Sequence, residues 1–189
     1  MPSYYEFEIS LRDVAPRIWR RLQIIQSATF KDLHEAIQAA AHWENRHLYV
    51  FRTGGWGDLD LADIAGIPDP DETIPTTPDA KKVKLKSYFG RLGNSRLRYV
   101  YDFGDDWDLD VVLTNQGELP DTFKRRLLAG ERAFPPEDCG GVSGYERFVA
   151  LLKTGKDPWG DNARELKQWL NGWKPDGFDL MRQKLLFGR

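Results

Sequence analysis

Residues Tyr99 to Leu113 read YVYDFGDDWDLDVVL, and the rest of the chain has to be fitted around them. The stretch carries five aspartates (102, 105, 106, 108 and 110), no basic residue and one glycine, Gly104. Its flanks alternate apolar and polar residues, which is the two-residue period of a half-buried strand. Strand, tight acidic turn, strand is therefore expected. Trp107, Leu109, Val111 and Leu113 share one face and read as core. The tip, Asp102 to Asp106, has two readings. Its aspartates can cap the turn's own N–H groups or pair with arginines, while Gly104 supplies a positive φ. Alternatively, such a turn can aim two carboxylates at one point, to hold a hard divalent cation or to keep one carboxyl protonated as a general acid.

Upstream, residues 4–11 alternate in the same way, with Tyr5, Phe7, Ile9 and Leu11 on one face. Pro16 interrupts, because proline supplies no ladder donor. Residues 17–25 form a second strand in which Arg20 shares the apolar face of Ile18, Leu22 and Ile24. A buried charge without a partner is costly. Arg20 is thus expected to sit near a strand edge and snorkel to water, or else to pair with an aspartate of the tip, as Arg17 and Arg21 could. Thr29 and Asp32 make a capping box for a helix whose apolar stripe is Phe30, Leu33, Ile37, Ala40 and Ala41. His47 to Arg52 is a third strand, ended by Gly54-Gly55-Trp56-Gly57. Residues 58–80, with four prolines, read as a long loop holding one helical turn near Leu61 to Ala65.

Between Lys81 and Arg98 the charge changes sign: Lys81, Lys82, Lys84, Lys86, Arg91, Arg96 and Arg98 occur with no acid among them. With Tyr88 and Phe89 inside it, this run could contact phosphates and stack on bases, or be a solvated face neutralised by the acidic stretch that follows. Downstream, residues 118–134 are ambiguous between helix and extended chain. Ser143 with Glu146, and Asn162 with Glu165, read as capping boxes of two further helices, the first closed by Gly155. Asp179 caps a last helix. The fold class expected is α+β: a β-grasp-like mixed sheet of about five strands with one crossing helix over residues 1–117. Residues 118–189 would be a helical extension packed on that core as one compact unit.

Composition bounds the possibilities. A chain of 189 residues, 41% hydrophobic and 13% aromatic, suits one domain with a sizeable core. Net charge is −2, which argues against a whole-chain grip on nucleic acid or anionic membrane. No apolar run approaches the ~20 residues of a membrane span, and MPSYYEFEIS lacks the basic segment and apolar core of a signal peptide. A lone cysteine, Cys139, excludes an internal disulfide and a multi-cysteine zinc site; its acidic neighbour, Asp138, would raise its pKa, so it reads as a packed small residue. A soluble cytoplasmic protein is expected.

Four segments also resemble, in order, one known family. Pro16-Arg17-Ile18-Trp19-Arg20-Arg21 resembles a P-x-I-W-R-R opening. His47-Leu48-Tyr49-Val50-Phe51, after a helix ending near Trp43, is similar to an HLxxF segment, and Tyr101 to Trp107 to a YDFGDxW signature. Pro135 to Gly141, followed by Gly144-Tyr145, is similar to a PPEDCGGxxGY block. These are features of the plasmid pRiA4b ORF-3-like family, also described as insertion-element passenger proteins of TnpR type. The resemblance implies an α+β fold of β-grasp type and no established activity. Where family members carry His two residues after the signature Trp, this chain has Leu109, and residues such as Leu127 and Phe134 stand where members carry cysteines. Both departures argue against a metal site built from those residues. Serine-recombinase chemistry is rejected, because Ser3 and Ser10 lack the arginine setting that a nucleophilic serine needs.

Three functional readings follow. The favoured one is a non-catalytic module that binds a protein partner. The second is a metal-assisted hydrolase in which Asp102, Asp105 and Glu137 or Asp138 hold a divalent ion, and His47 is acid or base. The third is a nucleic-acid accessory protein acting through the 81–98 run. Asp106 belongs to the same acidic cluster, and Arg17, Arg20, Arg21 and His47 are its candidate charge partners.

Overall fold

The computed structural model describes residues 1–53, 62–73, 76–91, 93–160 and 162–187. In chain order its elements are β1 (Ser3–Leu11), β2 (Trp19–Ile25), α1 (Phe30–Ala41), β3 (Tyr49–Arg52), β4 (Asp63–Gly66), α2 (Leu85–Phe89), β5 (Arg96–Tyr101), β6 (Trp107–Glu118), β7 (Arg125–Glu131), α3 (Gly141–Thr154), α4 (Ala163–Leu170) and α5 (Leu180–Phe187). Among the described residues the strands form one seven-stranded sheet in the order β4-β3-β5-β6-β1-β2-β7. Among the described residues every ladder is antiparallel, so the mixed, β-grasp-like sheet of about five strands is corrected.

The two additional strands lie where local pattern is weakest. β4 takes the place of the expected helical turn; Leu61 and the Gly54-to-Gly57 stretch lie outside the described residues. It is held by Gly66, whose N–H donates to Pro78 O at 2.9 Å and whose carbonyl accepts from Ala80 N–H at 2.9 Å. β7 pairs with the otherwise free edge of β2, so residues 118–189 are not a purely helical extension: they begin in the sheet.

Helix signals near the sequence surface are read more faithfully. The Thr29–Asp32 capping box is formed, and α1 buries Phe30, Leu33, Ile37, Ala40 and Ala41 against the sheet, with the Phe30 ring 5.1 Å from Phe51. Asp179 Oδ1 accepts the N–H groups of Met181 and Arg182 at 3.0 and 3.1 Å. Gly155 closes α3 in the left-handed region. The expected Ser143–Glu146 box is not used, because α3 begins four residues earlier, capped by left-handed Gly140, and Ser143 Oγ donates to Gly140 O. Asn162 stands at the N-cap of α4 without a side-chain hydrogen bond from it. No described helix is long and apolar enough to cross a membrane.

Arg20 does not snorkel. It is 1% exposed on the core face of β2. Its Nε donates to Ala40 O at 3.2 Å, and Nη1 to Trp19 O and Glu131 O at 2.8 and 3.0 Å. Its guanidinium lies 4.9 and 4.3 Å from the rings of Phe134 and Phe178. The negative end of α1 and the last carbonyl of β7 thus do the work expected of a carboxylate. Burial pushes its pKa down to about 10. Arg17 and Arg21 lie on the opposite face and pair with Glu8 at 2.6 and 2.8 Å. None of the three arginines pairs with the acidic turn, and that expectation is corrected.

His34 lies under the sheet at 1% exposure, stacked on Tyr49 at 3.6 Å. Its Nε2 is 2.7 Å from Asn45 Oδ1, an acceptor, so Nε2 carries the proton and Nδ1 accepts from Tyr99 OH at 2.7 Å. Burial holds its pKa down at about 4, below the usual histidine value. The unfolded chain therefore binds the extra proton first. His34's contribution is complete above the unfolded value of about 6.5 and is lost as pH falls toward 4, amounting to up to about 3 kcal/mol. Urea midpoints measured from pH 7.5 to 4.5 should fall less steeply for His34→Gln than for the native chain.

Candidate metal centre

The acidic turn closes as its flanks predict, but with a different backbone. Asp102 and Asp106, at φ 56° and 54°, take the left-handed positions, and Gly104 does not. Asp102 Oδ1 accepts the N–H groups of Gly104 and Asp105 at 3.1 and 3.4 Å, so the self-capping reading holds for this oxygen. Asp102 N–H donates to Leu48 O at 3.0 Å, which ties the turn to the start of β3.

The loop from Pro135 to Gly141 docks onto this turn. Trp43 stacks on Tyr101 at 5.1 Å and donates its Nε1–H to Pro135 O at 3.0 Å. Glu137 accepts from Tyr101 OH and from the N–H groups of Glu44 (2.5 Å) and Arg46 (3.5 Å). Asp105 Oδ2 accepts Gly140 N–H at 3.0 Å. Gly141, at φ +68°, packs so closely that a Cβ there would lie 2.5 Å from Asp105 O; at Gly144 it would lie 1.7 Å from Cys139 O. The glycines of the PPEDCGGxxG segment therefore let α3 abut the turn.

This docking brings three side chains together. His47 Nε2 lies 2.8 Å from Asp138 Oδ1 and 3.5 Å from Asp102 Oδ2, and one donor atom from each residue falls within 4.8 Å of the others. The Tyr101 ring stands edge-on to His47 at 5.8 Å. Asp102 is buried, His47 partly exposed and Asp138 exposed, so the group opens to solvent on one side. Of the expected cluster, Asp102, Asp138 and His47 converge. Asp105 and Glu137 serve backbone N–H groups instead, and Asp106 is exposed at the turn. Trp43 and Tyr101, which the sequence reading did not assign to the site, are what hold its two halves together. The signal that could have found them is the single Trp between α1 and His47.

The other half of the acidic stretch is structural. Arg98 is buried and pairs with Asp108 and Asp110 at 2.6 and 3.3 Å, while Arg12 approaches both at 3.7 and 3.6 Å. Burial pushes Asp108 up to about 6. Phe89 is core, 4.7 Å from Phe7, so Arg98 and Phe89 are unavailable for the nucleic-acid contact considered for the basic run. Lys81, Lys82, Lys84, Lys86, Arg91 and Arg96 are exposed. Burial, with Asp105 and Asp138 nearby, pushes the Cys139 thiol up to about 12, which makes it a poor nucleophile.

The family described as Plasmid pRiA4b ORF-3-like protein matches residues 3–182. The chain belongs to this family. It is similar to "Uncharacterized protein y4hQ" of Sinorhizobium fredii (strain NBRC 101917 / NGR234), 33% identical over 168 residues, or 88% of this chain and 80% of that protein. It also resembles the crystal structure of a protein of unknown function, MM3350 from Methanosarcina mazei Go1, with a TM-score of 0.80 at 34% identity, over 96% of this chain and 98% of that one. Three of the segments that carry the family resemblance, those at His47, Tyr101 and Pro135, are the three that meet at this centre.

Gly144→Ala should lower unfolding stability by more than ~2 kcal/mol, since the clash is with backbone that cannot move aside cheaply. Asp105→Asn, which weakens one charge-assisted bond, should cost only about 1 kcal/mol. Denaturant midpoints at neutral pH check both.

Proposed function

We propose that this chain is a binding module whose ligand is a divalent metal ion held by His47, Asp102 and Asp138. One observation carries the reading: the 4.8 Å convergence of an imidazole nitrogen and two carboxylate oxygens from three separate segments. Donors bonded to one ion at ~2.1 Å stand roughly 3.0–3.4 Å apart. The separations of 2.8 and 3.5 Å from His47 Nε2 bracket that range. A nitrogen and oxygen donor set suits zinc or manganese rather than a soft ion. It replaces the set built on Asp105 or Glu137, and makes His47 a ligand. The adjacent Glu137 clasp holds residues 44–46 in place and so orients His47 from behind.

A metal-assisted hydrolase is the second reading. What favours it is that three protein ligands leave positions open for water, the arrangement of a catalytic rather than a structural zinc site. In either case equilibrium dialysis against zinc or manganese should show one ion per chain. Asp102→Asn, Asp138→Asn and His47→Gln should each weaken binding at least ~10-fold. Asp110→Asn, a partner of Arg98 and Arg12, should leave it unchanged. Absence of stoichiometric binding by the native chain sinks both readings. Turnover by metal-loaded protein that vanishes in Asp102→Asn would select the second.

A further inference from the structure

We infer that a small cavity beside the edge strand β4, lined by Tyr49, binds a free amino acid with an apolar side chain, held as its zwitterion. The cavity has a volume of about 360 Å³ and lies between α1, the start of β3, the end of β4 and residues 79–81. That volume is at the small end of the range for ligand sites. It shares no lining residue with the metal centre, so the inference does not rest on an ion being bound.

The observation that points to a ligand is an orphaned hydroxyl. Tyr49 is only 6% exposed and its ring stacks on His34 at 3.6 Å, yet its OH has no hydrogen-bond partner among the described residues. A buried phenol ordinarily finds one. Burial first, and then the carboxylates of Asp79 and Glu35, push its pKa up to about 12, so at neutral pH it is a donor without an acceptor. Asn45 adds a second neutral donor. Its Oδ1 is taken by His34 Nε2–H at 2.7 Å, which leaves the Nδ2 hydrogens without a partner among the described residues.

The charges in the lining are of both signs. Lys31 is bonded to Glu35, whereas Lys81 has no carboxylate partner among the described residues. Asp79 is the acid of the lining. Its Oδ1 accepts Lys81 N–H at 2.9 Å, and its Oδ2 faces Lys82 at 3.8 Å, but that lysine is 85% exposed and such a pair is weak. Ile67, half exposed, and Pro68 supply an apolar wall. A carboxylate answers Tyr49, Asn45 and Lys81, an ammonium answers Asp79, and an aliphatic side chain covers Ile67 and Pro68. A simple carboxylic acid would set its charge against Asp79. A simple amine would leave both neutral donors unmatched.

The test is calorimetric titration of chelator-treated protein with leucine, isocaproate (leucine without its amine) and isoamylamine (leucine without its carboxylate). Leucine should bind once per chain, and each analogue at least ~10-fold more weakly, the loss expected for a charge-assisted hydrogen bond. Tyr49→Phe keeps the ring on His34 and should weaken leucine by a similar factor. Asp79→Asn keeps an acceptor for Lys81 N–H and should weaken leucine while leaving isocaproate unchanged or tighter, a split that loss of structure does not produce. Circular dichroism verifies folding of both variants; if either is unfolded, the comparison of the three ligands on the native chain decides. The inference is overturned if leucine does not saturate, if either analogue binds as tightly as leucine, or if folded Tyr49→Phe binds leucine like the native chain. Leucine binding without any metal uptake would leave it standing and remove the metal reading.

Discussion

The carboxylate of Asp102 serves two structures at once. One oxygen closes the β5–β6 turn by accepting the N–H groups of Gly104 and Asp105; the other faces His47 at 3.5 Å. The residue is left-handed at φ 56°, a conformation that costs roughly 1–2 kcal/mol for an L residue and that aspartate tolerates when its side chain bonds locally. At 7% exposure the carboxylate has lost most of its water, and the two N–H groups replace part of that solvation. Remove that arrangement and both the hairpin's end and the centre built on it lose their geometry.

A second constraint holds the chain's last third to the sheet. Arg20 gathers carbonyls from β2, α1 and β7 and lies against Phe134 and Phe178, so one buried guanidinium joins five parts of the molecule. Trp43 and Glu137 repeat the principle a short distance away. Trp43 satisfies the buried carbonyl of Pro135, and Glu137 ties the exposed N–H groups of Glu44 and Arg46 to the same loop. The loop before α3 has no regular structure of its own, and these side chains are why it has one position.

Charge pairing followed strand register, which the sequence reading did not resolve. The β5–β6 ladder sets Arg98 opposite Asp110, and the two pair. Arg21 stands opposite Glu8 in the β1–β2 ladder and bonds to it. Alternation puts Arg17 and Arg21 on the other face from Arg20, so these two could not have reached the same partner as Arg20. What no local pattern could supply was the partner of Arg20, because its acceptors are carbonyls about 20 and 111 residues away. The same holds for the metal centre. Its residues were all among the candidates, but which acids would be taken up by backbone N–H groups depended on how residues 135–141 came to lie on the turn.

The sequence by itself determined the period-two strands at either end of the sheet's centre, the capped helix α1, the core role of Leu109 and the acidic hairpin. Each of these is written in neighbours a few residues apart, where side-chain periodicity and capping chemistry act directly. The tertiary structure alone decided the seventh strand, the start of α3, the burial of Arg20 and the meeting of His47, Asp102 and Asp138. These depend on which edges, carbonyls and N–H groups remain unpaired once the sheet has formed, and satisfying them is a condition on the whole chain rather than on any stretch of it.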